Sequence, residues 1–202
     1  IAALREDPAV SRSDAGKMAV NADRSIESAH HLLTALLNLS KLEAGGVQPT
    51  VAPLALSQLF SDINREFTPM AKAKGVELVT VPTSVWISTD RDLLRSMLQN
   101  LVANAIRYTD SGRVILGARH HAEHIDIVVS DTGRGIPEEA RAAIFGEFVR
   151  LPGAPVDEPA AGLGLAIVQR LSDLLDHPIS LVSSVGNGST FRISTPRTSA
   201  PA

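Results

Sequence analysis

LQNLVANAIRYT, residues 98–109, reads as one amphipathic helix that carries two asparagines four positions apart. That spacing stacks Asn100 above Asn104 on one helix face, with Arg107 and Tyr108 one turn further on. Two amides and a cation then share one wall. Leu94, Met97, Leu98, Leu101, Val102 and Ala105 recur on the other side at steps of three and four, the pattern of a helix docked on a core. Thr89 or Asp90 is placed to cap it.

Upstream, Val51 to Leu56 has the composition of a short strand. Ser57 is placed to cap a helix through about Lys74, with Leu59, Phe60, Ile63 and Phe67 on one side and Gly75 as its stop. Val76 to Val81 and Val85 to Ser88 alternate like two strands around Pro82 to Ser84. Downstream, Asp110, Ser111 and Gly112 turn the chain into Arg113 to His121. That run pairs with Ile125 to Ser130 and delivers Asp131 to a sheet end. Regularity then fails. Between Gly133 and Gly162 stand one short helical segment, around Glu138 to Phe148, and the proline-rich LPGAPVDEPAA, an irregular stretch of the kind that forms lids. A helix resumes over Gly162 to Leu175, and Ile179 to Ser184 with Thr190 to Ser194 make a closing hairpin. The expected class is α+β, a two-layer α/β sandwich of helices on a largely antiparallel sheet.

Ahead of the sandwich, Ser13 to Glu43 forms a long helical pattern in which Ile26, Ala29, Leu33, Leu36 and Ser40 step by three and four. So wide an apolar face asks for partners, which a dimeric helical bundle supplies. Gly45 and Gly46 end it, and Ile1 to Asp7 reads as the end of an earlier helix broken at Pro8. The expected division is residues 1–46 as part of a helical hairpin, 51–195 as the sandwich and 196–202 as a linker-like tail. The start at Ile1 and the TPRTSAPA ending read as those of an excised fragment.

At 202 residues and 44% hydrophobic content, the chain holds enough for one full domain with a smaller appendage. Net charge is −3 with acids and bases interspersed, so the basic stripe of a nucleic-acid surface is missing. With no cysteine, disulfide scaffolds and thiol metal sites are excluded, and a reducing compartment fits. No apolar run approaches the roughly 20 residues of a membrane helix, and no signal peptide is recognisable, so the expectation is a cytoplasmic stretch without membrane contact.

Three glycine segments can carry chemistry. DTGRGIP, residues 131–137, sets a carboxylate at a strand end before two glycines that suit close ligand approach. A carboxylate accepts hydrogen bonds, so Asp131 can hold an exocyclic amine such as that of adenine, although an ordinary Asp-Gly turn explains the same residues. GLGL, residues 162–165, opens a helix whose free N–H groups and positive dipole end suit a phosphate. GNGSTF, residues 186–191, is equally well a simple hairpin turn. The dinucleotide fingerprint and the GK[ST] phosphate loop are both absent. His120, His121 and His124 lie about a strand turn with no paired carboxylate or cysteine pattern, which argues against metal ligation by them.

Taken in order, the asparagine helix, DTGRGIP, two phenylalanines, GLGL and GNGSTF closely resemble the catalytic ATP-binding domain of sensor histidine kinases, which shares the Bergerat-type fold with gyrase, Hsp90 and MutL. The resemblance covers about residues 51–195. LLNLSKLEAGG, Leu36 to Gly46, further resembles the end of the second helix of the dimerisation and phosphotransfer domain of such kinases. It implies ATP and Mg²⁺ as ligands, with Asn104 holding the metal, Asn100 supporting the phosphate and metal site and Arg107 contacting phosphate. Tyr108 is implied near the nucleotide, Asp131 on the adenine amine, and Gly133, Gly135 and Ile136 around that pocket. Phe145 and Phe148 match the lid root, Gly162, Leu163, Gly164 and Leu165 the phosphate-facing helix start, and Thr190 the last box beside adenine. The implied partners are a second copy, through the N-terminal helices, and a response regulator or receiver domain.

Two departures from the family stand out. Pro159, Ala160 and Ala161 precede GLGL where the family commonly has threonine or serine and further glycines. The phosphoacceptor box, a histidine followed by an acid and then a proline, is nowhere in the chain, since His30 and His31 lead into Leu-Leu-Thr-Ala. The acceptor is therefore expected on an upstream helix. The reading implied is a kinase core transferring the terminal phosphate of ATP to that histidine. The alternatives are a hydrolytic ATPase of the same fold, a non-catalytic nucleotide-binding or dimerisation module, and a serine kinase of the anti-sigma type. The hydrolytic relatives carry a glutamate at the position of Asn100, and asparagine cannot act as that base.

Overall fold

Of the two candidates, Thr89 and Asp90, it is Asp90 that caps the asparagine helix: its carboxylate accepts from the backbone N–H groups of Asp92 and Leu93 at 3.0 and 3.1 Å. Such a cap is worth about 1 kcal/mol. In the computed structural model, which describes residues 46–149 and 162–200, this helix is one of three laid on a single sheet. The strands are β1 (Ala52–Ala55), β2 (Val76–Thr80), β3 (Trp86–Thr89), β4 (Gly112–His120), β5 (His124–Asp131), β6 (Ile179–Ser183) and β7 (Ser189–Thr198). The helices are α1 (Leu56–Lys74), α2 (Arg91–Tyr108) and α3 (Gly164–Leu175).

The sheet runs β1-β3-β7-β5-β4-β2, with β6 pairing along the edge of β7. Every pairing is antiparallel except β2 with β4, so the largely antiparallel sandwich expected from the pattern is the one observed. The α2 residues named for the core, Leu94 to Ala105 in steps of three and four, are all buried, together with Ile106. They meet Leu59, Phe60 and Ile63 of α1, Val168 and Leu171 of α3, and Ile125, Ile127 and Val129 of β5. Burying side chains of this size contributes about 1.5–3 kcal/mol each, which fixes α2 against the sheet and leaves its asparagine face outward. The helix's C-terminal carbonyls are held from outside, since the Lys74 ammonium donates to the carbonyl oxygens of Ile106, at 3.0 Å, and Arg107.

Several expectations need correction. Helix α1 begins at Leu56, not after a capping Ser57: its cap position is Ala55, without a side-chain bond, and Val85 O accepts the Leu56 N–H at 3.0 Å. The helical segment expected over Glu138 to Phe148 is two 3₁₀ turns, Glu138–Ala140 and Ala143–Phe145, because Gly146 leaves the helical region at ψ 160°. Helix α3 starts at Gly164 rather than Gly162, whose φ of +69° no right-handed helix admits. The tail expected from residue 196 is still strand: β7 runs on to Thr198, where Trp86 pairs with Thr198 and Ile87 with Arg197. Most consequential, the histidines at the β4–β5 turn do have a paired carboxylate, Asp126. The long N-terminal helix, the helical-bundle contact and LPGAPVDEPAA lie outside the described residues.

Helix α3 ends at Asp176 in the left-handed region, φ 53°, and this turn buries His177 beneath the sheet. Its Nε2 lies 2.9 Å from Thr89 Oγ1, and the Ser172 hydroxyl donates to its carbonyl oxygen at 2.8 Å. Burial holds the imidazole below its ordinary value, opposed in part by Asp176. The unfolded chain therefore takes up a proton near pH 6.5 while the folded chain declines it until the pH is lower. Stability is fully present above that pH and is lost as pH falls toward the folded value. Urea midpoints should drop between about pH 7.5 and 5.5, and a His177→Gln chain should show a flatter dependence over that window.

Candidate functional site

Helix α2 presents Asn100 and Asn104 to the start of α3. Asn100 donates from Nδ2 to Ser96 O at 2.8 Å, which turns its Oδ1 toward Gly164. A Cβ at Gly164 would stand 2.9 Å from that Oδ1 and 3.6 Å from Asn104 Nδ2, so a side chain there would crowd the amide wall. The first turn of α3 has no side-chain cap, and the cap position is Leu163, itself buried. Free N–H groups, the positive end of a helix dipole and two amides therefore meet at one place, which is the chemistry that holds phosphate oxygens.

The DTGRGIP loop folds over the other end of α2. Arg134 N donates to Tyr108 O at 3.3 Å, and the Arg134 guanidinium lies 5.6 Å from the centre of the Tyr108 ring. Gly133 passes so close that a Cβ would be 2.3 Å from Tyr108 O. At the end of β5, Asp131 is buried on the helix side of the sheet, and its Oδ1 accepts from Gly133 N at 2.8 Å and Ser189 N at 3.2 Å. Its Oδ2 makes no hydrogen bond to a described residue. Burial pushes the carboxyl above its ordinary range, and the two backbone N–H groups act in the opposite sense. An acceptor oxygen left open in this way on a largely buried carboxylate is matched by a ligand that brings an N–H donor.

The GNGS turn locks onto the same loop. Gly188 lies against the Asp131 backbone, Gly135 against Ser184, and Gly186 N donates to Arg134 O at 2.8 Å. Ser183 Oγ accepts from Ile136 N at 2.8 Å and donates to Gly188 O at 2.9 Å. At the lid root, Phe145 packs edge-on to Phe191, ring centres 6.3 Å apart, whereas Phe148 is exposed with φ 60° and lies against Gly162. Leu165 packs on the core.

The structure thus sets Asn100, Asn104 and Gly164 midway along α2, and Tyr108, Gly133, Gly135, Ile136 and Asp131 about its C-terminal end. Thr190 is the exception. It pairs with Ser130, its hydroxyl 2.8 Å from Ser130 Oγ, on the sheet face opposite Asp131. The residue brought to Asp131 is Ser189, one position earlier and missed in the sequence. The signal was available: side chains alternate along β7, so only one of two neighbours can face the pocket.

With that geometry in place, comparison with known proteins gives one answer. The profile of the family described as "Histidine kinase-, DNA gyrase B-, and HSP90-like ATPase" matches residues 89–199. This chain belongs to that family, and its ATP-binding core is of the sensor histidine kinase kind. The autoinducer 2 sensor kinase/phosphatase LuxQ of Vibrio parahaemolyticus is 35% identical over 182 residues, covering 84% of this chain and 21% of that protein. The chain therefore spans about a fifth of that relative's length. Among solved structures, full-length ShkA in complex with AMPPNP is 32% identical with a TM-score of 0.73, covering 87% of this chain and 38% of its own. The histidine kinase AdeS of Acinetobacter baumannii shares the fold at 20% identity and a TM-score of 0.73, covering 97% of this chain and 88% of its own. Among the described residues, no helix is long and apolar enough to cross a membrane.

Proposed function

We propose that the chain binds Mg-ATP between α2 and α3 and presents its terminal phosphoryl group to a histidine outside these 202 residues, as the kinase core of a two-component sensor. The observation that carries this reading is the contact of Gly164 with the Asn100 and Asn104 amides while the Asp131 Oδ2 stays open at the far end of the same helix. One end grips phosphates and the other a base with an exocyclic amine. ShkA, whose structure holds AMPPNP, supports the nucleotide assignment.

Asp131 accepts the adenine amine, and the Gly133 and Ser189 N–H groups keep its carboxylate oriented. The α3 N–H groups and Arg107 balance phosphate charge. Asn104 supplies an amide oxygen to Mg²⁺, which suits a metal that keeps water and phosphate as its other ligands and neutralises charge on the phosphates. Asn100 orients the wall by its bond to Ser96 O and offers no base to a water, so the site positions the phosphoryl group for an incoming nucleophile without hydrolysing it. The proposed setting is cytoplasmic, with dimerisation through the N-terminal helices and a response regulator or receiver domain as the next phosphate acceptor.

The test uses ATP labelled on its terminal phosphate. This chain alone should bind nucleotide and release little free phosphate, whereas a longer chain with the upstream segment should take up acid-labile label. Steady phosphate release by this chain alone would make it a hydrolase. Label on this chain alone would move the acceptor to His30 or His31, and failure to bind ATP would leave a non-catalytic module.

A further inference from the structure

We propose that His121, His124 and Asp126 form a second metal site, for a first-row transition cation such as Zn²⁺, at the end of the sheet remote from the nucleotide. The turn between β4 and β5 is tight: His121 N donates to His124 O at 3.0 Å, enclosing Ala122 and Glu123. His124 and Asp126 are alternate residues of β5 and share a face, and His121 reaches that face from the turn just after β4. His121 Nε2 lies 3.1 Å from Asp126 Oδ2, and His124 Nε2 lies 3.4 Å from Oδ1. The rings are stacked, centres 4.4 Å apart and 10° from parallel. One ligand atom from each of the three residues lies within 4.8 Å of the others.

Two features make this more than a pair of histidines on a turn. The Asp126 side chain is only 11% exposed, and the Ser194 hydroxyl donates to its Oδ1 at 2.6 Å from the adjoining strand β7. The carboxylate is thus oriented by a neighbour, as ligating carboxylates are. The two imidazoles, by contrast, are 37% and 45% exposed, so they can turn about their side-chain bonds to converge on an ion without backbone movement. Two imidazole nitrogens and one carboxylate oxygen suit Zn²⁺, Co²⁺, Ni²⁺ or Cu²⁺, and leave a fourth position for water. Mg²⁺, which prefers oxygen and water, is a poor match.

Asp126 stands five residues before Asp131 on β5 and faces the other side of the sheet, an offset along the strand of about 17 Å. A metal there ties the β4–β5 turn to β7 without touching the nucleotide pocket.

The test is titration of the full 202-residue chain with Co²⁺, read by its visible absorption, then displacement with Zn²⁺. One equivalent should bind with the intense bands of a low-coordinate cobalt, excess Mg²⁺ should not compete, and Zn²⁺ should raise the melting temperature. The double variant His121→Gln/His124→Gln, at exposed positions, should keep its fold and lose the bands. Ser194→Ala should weaken binding about tenfold, the usual effect of removing an outer-shell partner. His120→Gln should leave binding unchanged. Absent bands, or equal zinc affinity in the double variant, would overturn the assignment and leave the three side chains as a hydrogen-bonded clamp on the turn.

Discussion

Asp131→Asn is expected to weaken ATP binding roughly ten- to a hundredfold while the domain stays folded. The carboxylate's two oxygens do different work: Oδ1 holds the N–H groups of Gly133 and Ser189, and Oδ2 is open. An asparagine has one oxygen, and the two backbone donors hold it in place. Its NH₂ then occupies the position of Oδ2 and turns a donor toward the donor amine of adenine. Leaving a buried polar group facing a like partner costs about 1–3 kcal/mol, which is the stated range in affinity. Folding should not suffer. Burial raises the Asp131 pKa, so the folded chain holds a proton that the unfolded chain releases at lower pH, and stability falls as pH rises through that window. A neutral asparagine removes the cost of the buried charge at neutral pH. Calorimetric titration with a non-hydrolysable ATP analogue, paired with thermal melts, separates the two effects. Unchanged affinity would remove Asp131 from the adenine pocket.

What the sequence showed clearly was local and periodic. The apolar stripe of α2, its Asp90 cap and the left-handed stop at Gly75 each follow from residues within a turn or two of one another. What it hid depends on partners far along the chain. TPRT reads as linker because nothing in those four residues records that β3 will pair with Arg197 and Thr198. Ser57 looked like a cap because the group that accepts the Leu56 N–H, Val85 O, is not adjacent in sequence. His177 gave no sign of burial, since its cover comes from Thr89 and Ser172. Ser189 and Thr190 differ in parity along β7, so only Ser189 meets Asp131, and the same alternation along β5 sets Asp126 beside His124.

Gly188→Ala is expected to destabilise the domain by about 3–5 kcal/mol, at the upper end of single substitutions. Two costs combine. Gly188 has φ +81°, where an L side chain adds about 1–2 kcal/mol. A Cβ there would also stand 1.9 Å from Asp131 O and 2.9 Å from Thr132 Cα, and both are backbone, so no side chain can swing aside. Relief requires the GNGS turn to lift off the end of β5. That movement breaks the Ser189 N–H bond to Asp131 and the Ser183 bond to Gly188 O, so the wall of the adenine pocket goes with it. Gly186→Ala isolates the first cost: φ is +80°, but nothing lies within 4 Å of the added carbon. That variant should lose only about 1–2 kcal/mol and keep its nucleotide affinity. Urea denaturation of the two variants beside the parent decides the matter. Equal losses would mean that the backbone at Gly188 is strained but not crowded, and that the turn does not need contact with Asp131 to hold the pocket closed.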